Sequence, residues 1–95
     1  MKQIINEHKY AHYKTLTGIH LTANERYYLC DFYPNQNEMN EIKYEVVVET
    51  AQHLKSSHEF VYSQTMQQWF CSNPEDLPSD LIEQLTAQII SYQEN

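Results

Sequence analysis

Five histidines, two cysteines and thirteen carboxylates are the residues of this 95-residue chain whose types can do chemistry. Their spacing limits what that chemistry is. His8 and His12 are four apart, which on a helix would set two imidazoles on one face as metal ligands. A transition-metal centre also needs a third ligand and an ordered outer shell, and neither a His-Glu-x-x-His run nor a Cys/His cluster accompanies the pair. His53 and His58 are five apart, which suits neither one helical face nor one strand face. Scattered surface histidines are therefore the favoured reading, with no metal or cofactor assigned and a His8/His12 metal-binding protein kept as an alternative. A pH-responsive surface is a smaller alternative, because nearby carboxylates favour protonated imidazole.

Nucleophilic catalysis fares no better. Cys30 and Cys71 lack any C-x-x-C or metal-type clustering and read as free thiols, since a disulfide would need neighbouring strands and an oxidising compartment. Pairing Cys71 with His58, or Cys30 with His20, is arithmetic only, because neither cysteine sits in an elbow or at an evident helix start. Glu75, Asp76 and Asp80 are better explained as turn and helix-start residues than as hydrolytic carboxylates. Gly18 is the one glycine, which removes phosphate-cradling loops and dinucleotide fingerprints. The chain is expected not to be an enzyme.

Charge is distributed unevenly. All six bases (Lys2, Lys9, Lys14, Arg26, Lys43 and Lys55) precede Ser56, so residues 1 to 55 carry −1 of the formal −7. The other −6 comes from Glu59, Glu75, Asp76, Asp80, Glu83 and Glu94. Direct binding of nucleic acid is disfavoured, because phosphate contacts need a basic surface. Acidic asymmetry points instead to a partner that is a basic protein. Eight tyrosines, three phenylalanines and Trp69 exceed what one small core needs, and surplus tyrosine is typical of interfaces. Tyr28, Asp31 and Tyr33, near Glu38 and Glu41, form a candidate aromatic patch with an acidic rim. Glu75, Asp76, Asp80 and Glu83 would steer a basic partner toward it.

These groups need a scaffold, and the chain length allows a single domain with one core. In Ile42 to Thr50, IKYEVVVET, the residues Ile42, Tyr44, Val46 and Val48 alternate with Lys43, Glu45, Val47 and Glu49, the period-two pattern of a half-buried strand. Arg26 to Tyr33 is a strand with apolar residues on both faces, Tyr27, Leu29 and Tyr33 against Tyr28, Cys30 and Phe32. Tyr13 to Leu21 is a third strand, with Gly18 marking a bulge or bend. Asn24 and either Asn35 or Asn37 are the candidates for left-handed turn positions. Gln52 to His58 reads as a solvated segment, and Glu59 to Ser72 as a hairpin turning near Gln64-Thr65. From Pro78 to Tyr92 the apolar spacing is helical, with Leu81, Leu85 and Ile89 on the inner face and Asp80 and Glu83 near the N-terminus. Met1 to Ala11 admits a short N-terminal helix without a clear cap.

The expected fold is α+β: a mainly antiparallel meander of about four to five strands with the C-terminal helix across one face. No apolar run is long enough for a secretory or transmembrane segment, so a cytoplasmic location with no membrane partner is expected. The leading functional expectation is a small, acidic, non-catalytic binding module that inhibits or occludes a basic, nucleic-acid-binding protein. Immunity proteins, antitoxins and phage-encoded inhibitors act in this manner. The alternative is a self-associating homodimer using the aromatic sheet face or an edge strand.

Overall fold

The computed structural model describes residues 15–36 and 42–93. Five strands, β1 (Leu16–Ala23), β2 (Arg26–Gln36), β3 (Ile42–Thr50), β4 (Lys55–Ser63) and β5 (Gln68–Cys71), form one antiparallel sheet in the order β1-β2-β3-β4-β5. A 3₁₀ turn at Pro74–Asp76 leads into helix α1 (Ser79–Gln93). This is the expected meander with a C-terminal helix. Residues 1 to 11, read above as a possible second helix, and His8, His12 and Tyr13, lie outside the described residues, as do Asn37, Glu38 and Glu41.

One face of the sheet is apolar because alternate residues of β2 and β3, together with Phe60 of β4, are. Cys30 and Phe32 of β2 stand in register with Val48 and Val46 of β3, and Tyr44 with Phe60 of β4, so all six side chains point to one side. Leu81, Leu85 and Ile89 of α1, one turn apart each, close over that side and are fully buried. Each contributes about 1.5–3 kcal/mol through lost contact with water. The aromatic part of the core runs Phe32, Tyr44, Trp69, with ring centroids 6.4 and 5.7 Å apart in edge or tilted geometry. Both Phe60 and Trp69 are buried.

The turns explain how so little glycine suffices. Asn24 and Glu25 both take positive φ, 53° and 62°, and make the two-residue β1–β2 turn whose twist matches its strands. His53 (φ 67°) closes the β3–β4 turn and Gln67 (φ 54°) the β4–β5 turn. Asn35 lies inside β2, so it is not a turn residue; backbone pairing with Lys43 holds it extended. The second hairpin turns through Gln64 to Gln67 instead of at Gln64-Thr65 alone. Gly18, at φ 70°, sits where the β1–β2 register shifts, and its N–H donates to Asp31 Oδ1 at 2.8 Å. The bulge is therefore pinned by a side chain from the neighbouring strand.

Three strands differ in their bounds from the sequence reading, and β2 continues past Tyr33 to Gln36 because Pro34, Asn35 and Gln36 pair with Tyr44, Lys43 and Ile42. β1 begins at Leu16 and continues to Ala23, because Leu21, Thr22 and Ala23 pair with Tyr28, Tyr27 and Arg26. β4 begins at Lys55, within the stretch read as solvated, because Ser56 and His58 occupy inward positions opposite Val48 and Val46. Replacing Leu85 with alanine removes the centre of the helix stripe and is expected to lower unfolding stability by about 2–5 kcal/mol. Urea denaturation checks this, and a loss under 1 kcal/mol would place the centre of the core elsewhere.

Candidate functional site

The side of the sheet opposite α1 carries the concentration of groups with chemical potential. It is built by the same alternation that makes the core, read one residue out of step. Tyr27, Leu29, Asp31 and Tyr33 of β2 face outward, as do Lys43, Glu45, Val47 and Glu49 of β3 and Lys55, Ser57, Glu59 and Val61 of β4. Phe70 of β5 joins them through its pairing with Val61. Four carboxylates, Asp31, Glu45, Glu49 and Glu59, thus share one surface with two lysines.

At its centre Glu45 and Glu59 stand directly opposite one another across β3 and β4. Like charges in that position repel and destabilise a sheet. Ser57 Oγ donates to Glu45 Oε2 at 2.7 Å, and Ser72 Oγ donates to Glu59 Oε1 at 3.2 Å. Lys43 Nζ lies 2.8 Å from Glu59 Oε2. The lysine, helped by Ser72 and opposed by partial burial, holds the Glu59 carboxyl below its usual range. Asn35, Lys43, Glu45, Ser57, Glu59, Ser72 and Asn73 line an open polar basin of about 440 Å³ around the pair. At the far end of the surface His53 Nδ1 is 2.9 Å from Glu49 Oε2, beside Tyr27, which is 71% exposed.

The expected patch is divided by the sheet. Asp31 and Tyr33 lie on this outer surface, where Tyr33 Oη donates to Asp31 Oδ2 at 3.4 Å. Tyr28 points the other way and is 8% exposed, because its position shares the inward face with Cys30 and Phe32. Glu75 and Asp76 are exposed on the 3₁₀ turn, and Asp80 and Glu83 on the solvent side of α1. Those four acids are near in sequence and belong to the helix side of the molecule, away from Asp31 and Tyr33. Glu45, Glu49, Glu59, Tyr27 and Phe70 were not singled out from the sequence. The outward half of IKYEVVVET was the available signal, since it places Glu45 and Glu49 on one face.

The sheet separates one nucleophile pairing and not the other: Cys71, opposite Phe60, shares the inward face with His58, two residues along β4. Cys30 faces inward while His20, opposite Leu29, faces outward. Burial, reinforced by Asp31, pushes the Cys30 thiol up to about 12. Burial also raises the Cys71 thiol, partly offset by a hydrogen bond to the Asn73 backbone. Among the described residues, no three His, Cys, Asp or Glu side chains are grouped to hold a metal ion, and no helix is long and apolar enough to cross a membrane. No family model, curated protein or solved structure matches the chain.

His58 is the buried polar residue of the described core, with Nε2 2.6 Å from Ser56 Oγ. Burial lowers its pKa below the ordinary 6.5, and Asp76 works in the opposite direction. A histidine depressed in the folded state binds its proton more readily when unfolded. Its contribution is complete above about pH 6.5 and is lost as pH falls below that value toward the folded pKa. Glu59 loses its contribution lower, as pH falls below the usual glutamate range, so the two effects separate. Urea midpoints at pH 7.0 and 5.5 are expected to drop for the native chain and to drop less for His58→Gln; equal drops would contradict this role.

Proposed function

We propose that this protein is a small, acidic, non-catalytic binding module whose helix-free sheet face covers a basic surface of another protein. The observation that carries the reading is the Glu45–Glu59 pair. Two carboxylates set directly opposite each other in a polar basin, with one lysine between them, form a group able to receive a cation. Lys43 and Ser72 balance Glu59 and Ser57 donates to Glu45, which leaves one negative charge beyond the lysine for a partner's lysine or arginine to balance. Arginine suits the role best, because its planar fork matches carboxylate geometry.

Tyr27, Tyr33 and Phe70 supply exposed aromatic area around the charges, and Asp31 and Glu49 extend the acidic field. Such a surface fits a partner that itself binds phosphate, since carboxylates occupy the positions phosphates would take. The reading is therefore an inhibitor or occluder of a nucleic-acid-binding protein, of the kind represented by immunity proteins, antitoxins and phage-encoded inhibitors. Glu75, Asp76, Asp80 and Glu83 act at longer range in this account. They raise the encounter rate with a basic protein without forming the main contact.

The two acidic regions separate experimentally. Protein captured at low salt from the host on the immobilised chain is identified by mass spectrometry, and the recovered basic protein is then used in surface plasmon resonance. Glu45→Lys with Glu59→Lys is expected to weaken binding by about tenfold or more, chiefly through faster dissociation. Asp76→Lys, Asp80→Lys and Glu83→Lys together are expected to lower the association rate and flatten its salt dependence. Unchanged affinity after the Glu45/Glu59 reversal would overturn the assignment of the contact face. Recovery of the chain alone, as a stable dimer, would favour self-association.

A further inference from the structure

The outer basin and the buried histidine are joined by one short stretch of chain. β5 ends at Cys71, opposite Phe60, and Ser72 N–H donates to the Glu59 carbonyl at 2.8 Å. Ser72 and Asn73 then form one rim of the basin, where Ser72 Oγ donates to Glu59 Oε1. From this rim the chain passes to the helix side through the 3₁₀ turn, in which Asp76 N–H donates to the Asn73 carbonyl at 3.1 Å and Leu77 N–H to the Pro74 carbonyl at 3.4 Å. Leu77 packs against the core.

His58 lies where the chain passes over. It points inward two residues along β4 from Phe60 and is 7% exposed, although the β4–β5 pairing starts only at Phe60. Its surroundings offer little to a charged ring. β3 presents Val46 opposite it and Val48 on the same face, β4 the Ser56 hydroxyl, and β5 the Cys71 thiol. The turn supplies Asp76, with Glu75 exposed beside it, and α1 begins with exposed Asp80. Burial disfavours the protonated ring and outweighs the attraction of Asp76.

We propose that the 3₁₀ turn is a strap that closes over neutral His58 and thereby sets the rim of the basin, so that protonating His58 lifts the turn and weakens contact with a basic partner. Lifting lets water reach the imidazolium. The turn itself buries none of its three residues, so opening it costs little beside unfolding the sheet. Ser72 and Asn73 are continuous with it and move when it moves, and Glu59 then loses the hydroxyl that Ser72 donates. The closed strap favours the neutral ring, so closure is complete above about pH 6.5 and is lost as pH falls below that value. Glu59, held below its usual range by Lys43, stays charged at pH 5.5, which separates its own titration from the strap.

The effect on binding rests on the outer-face reading, whereas the motion of the strap does not, and the test reads them separately. Amide hydrogen exchange of the full chain, corrected for its intrinsic dependence on pH, is followed by NMR at pH 7.5 and 5.5. Acetyl-GRG-amide is titrated as a probe of the basin at both values. Protection of Ser72, Asp76 and Leu77 is expected to fall about fivefold at pH 5.5 while the β2–β3 ladder keeps its protection, and probe affinity is expected to fall about threefold. His58→Gln should hold both quantities constant between the two pH values. Asp76→Asn removes the opposing charge and should deepen the loss at pH 5.5, which keeps the test decisive where the glutamine variant does not fold.

Equal protection at the two pH values, or the same loss in His58→Gln, would overturn the strap. Loss of protection throughout the β2–β3 ladder would do so as well, since the chain would then be unfolding as a whole. Protection that falls while probe affinity holds would overturn the coupling to the basin. A probe that shifts no basin residue at pH 7.5 would overturn the outer-face reading, and protection alone would then decide the strap.

Discussion

Burial of one face of a five-stranded meander beneath a single helix is the constraint from which the rest of this molecule follows. A helix offers one apolar stripe, here Leu81, Leu85 and Ile89, and that stripe covers one side of a sheet. Alternate residues of β2 and β3, with Phe60 of β4, must therefore be apolar inward, and the residues between them must face away from α1. Strand pairing then brings those outward residues into rows. Asp31 and Tyr33, which look local in the sequence, become neighbours of Val47 and Glu45, and Glu45 meets Glu59. The acidic face is thus a geometric consequence of the core pattern combined with register.

The fold also protects its own boundary. At β1, Gly18 breaks the regular ladder while Asp31 pins the displaced backbone, and Gln84 of α1 donates to the Thr22 carbonyl. A bulged edge touched by a helix is a poor template for edge-to-edge pairing. β5 at the other end is short, with four residues. Asp31 consequently has two duties, structural toward Gly18 and electrostatic toward the outer surface, and a change there would disturb both.

The parts of the fold legible in the sequence were those where a single physical rule dominated. Period-two alternation defined Ile42–Thr50, helical spacing defined α1, and the conformational freedom of glycine marked the Gly18 bulge. The start of β4 was not legible, because Ser56 and His58 fill inward positions where an apolar pair would have revealed the strand. Three of the four non-glycine left-handed positions, Glu25, His53 and Gln67, were also hidden, since hairpin closure imposed them on residues without that preference. Sequence proximity misled most at the site. Tyr28 and Tyr33 are odd-numbered steps apart and so take opposite faces, while Glu45 and Glu59, fourteen residues apart, are paired by the β3–β4 ladder.

The proposed contact with a basic protein lies on the sheet face lacking the helix. Carboxyl footprinting, in which accessible acids are coupled to glycine ethyl ester and located by mass spectrometry, reads that face directly. With the recovered basic protein bound, the account expects Glu45, Glu49 and Glu59 to lose labelling while Glu75, Asp76, Asp80 and Glu83 retain it. Protection of the second group with full labelling of the first would contradict the account and move the interface to the helix side.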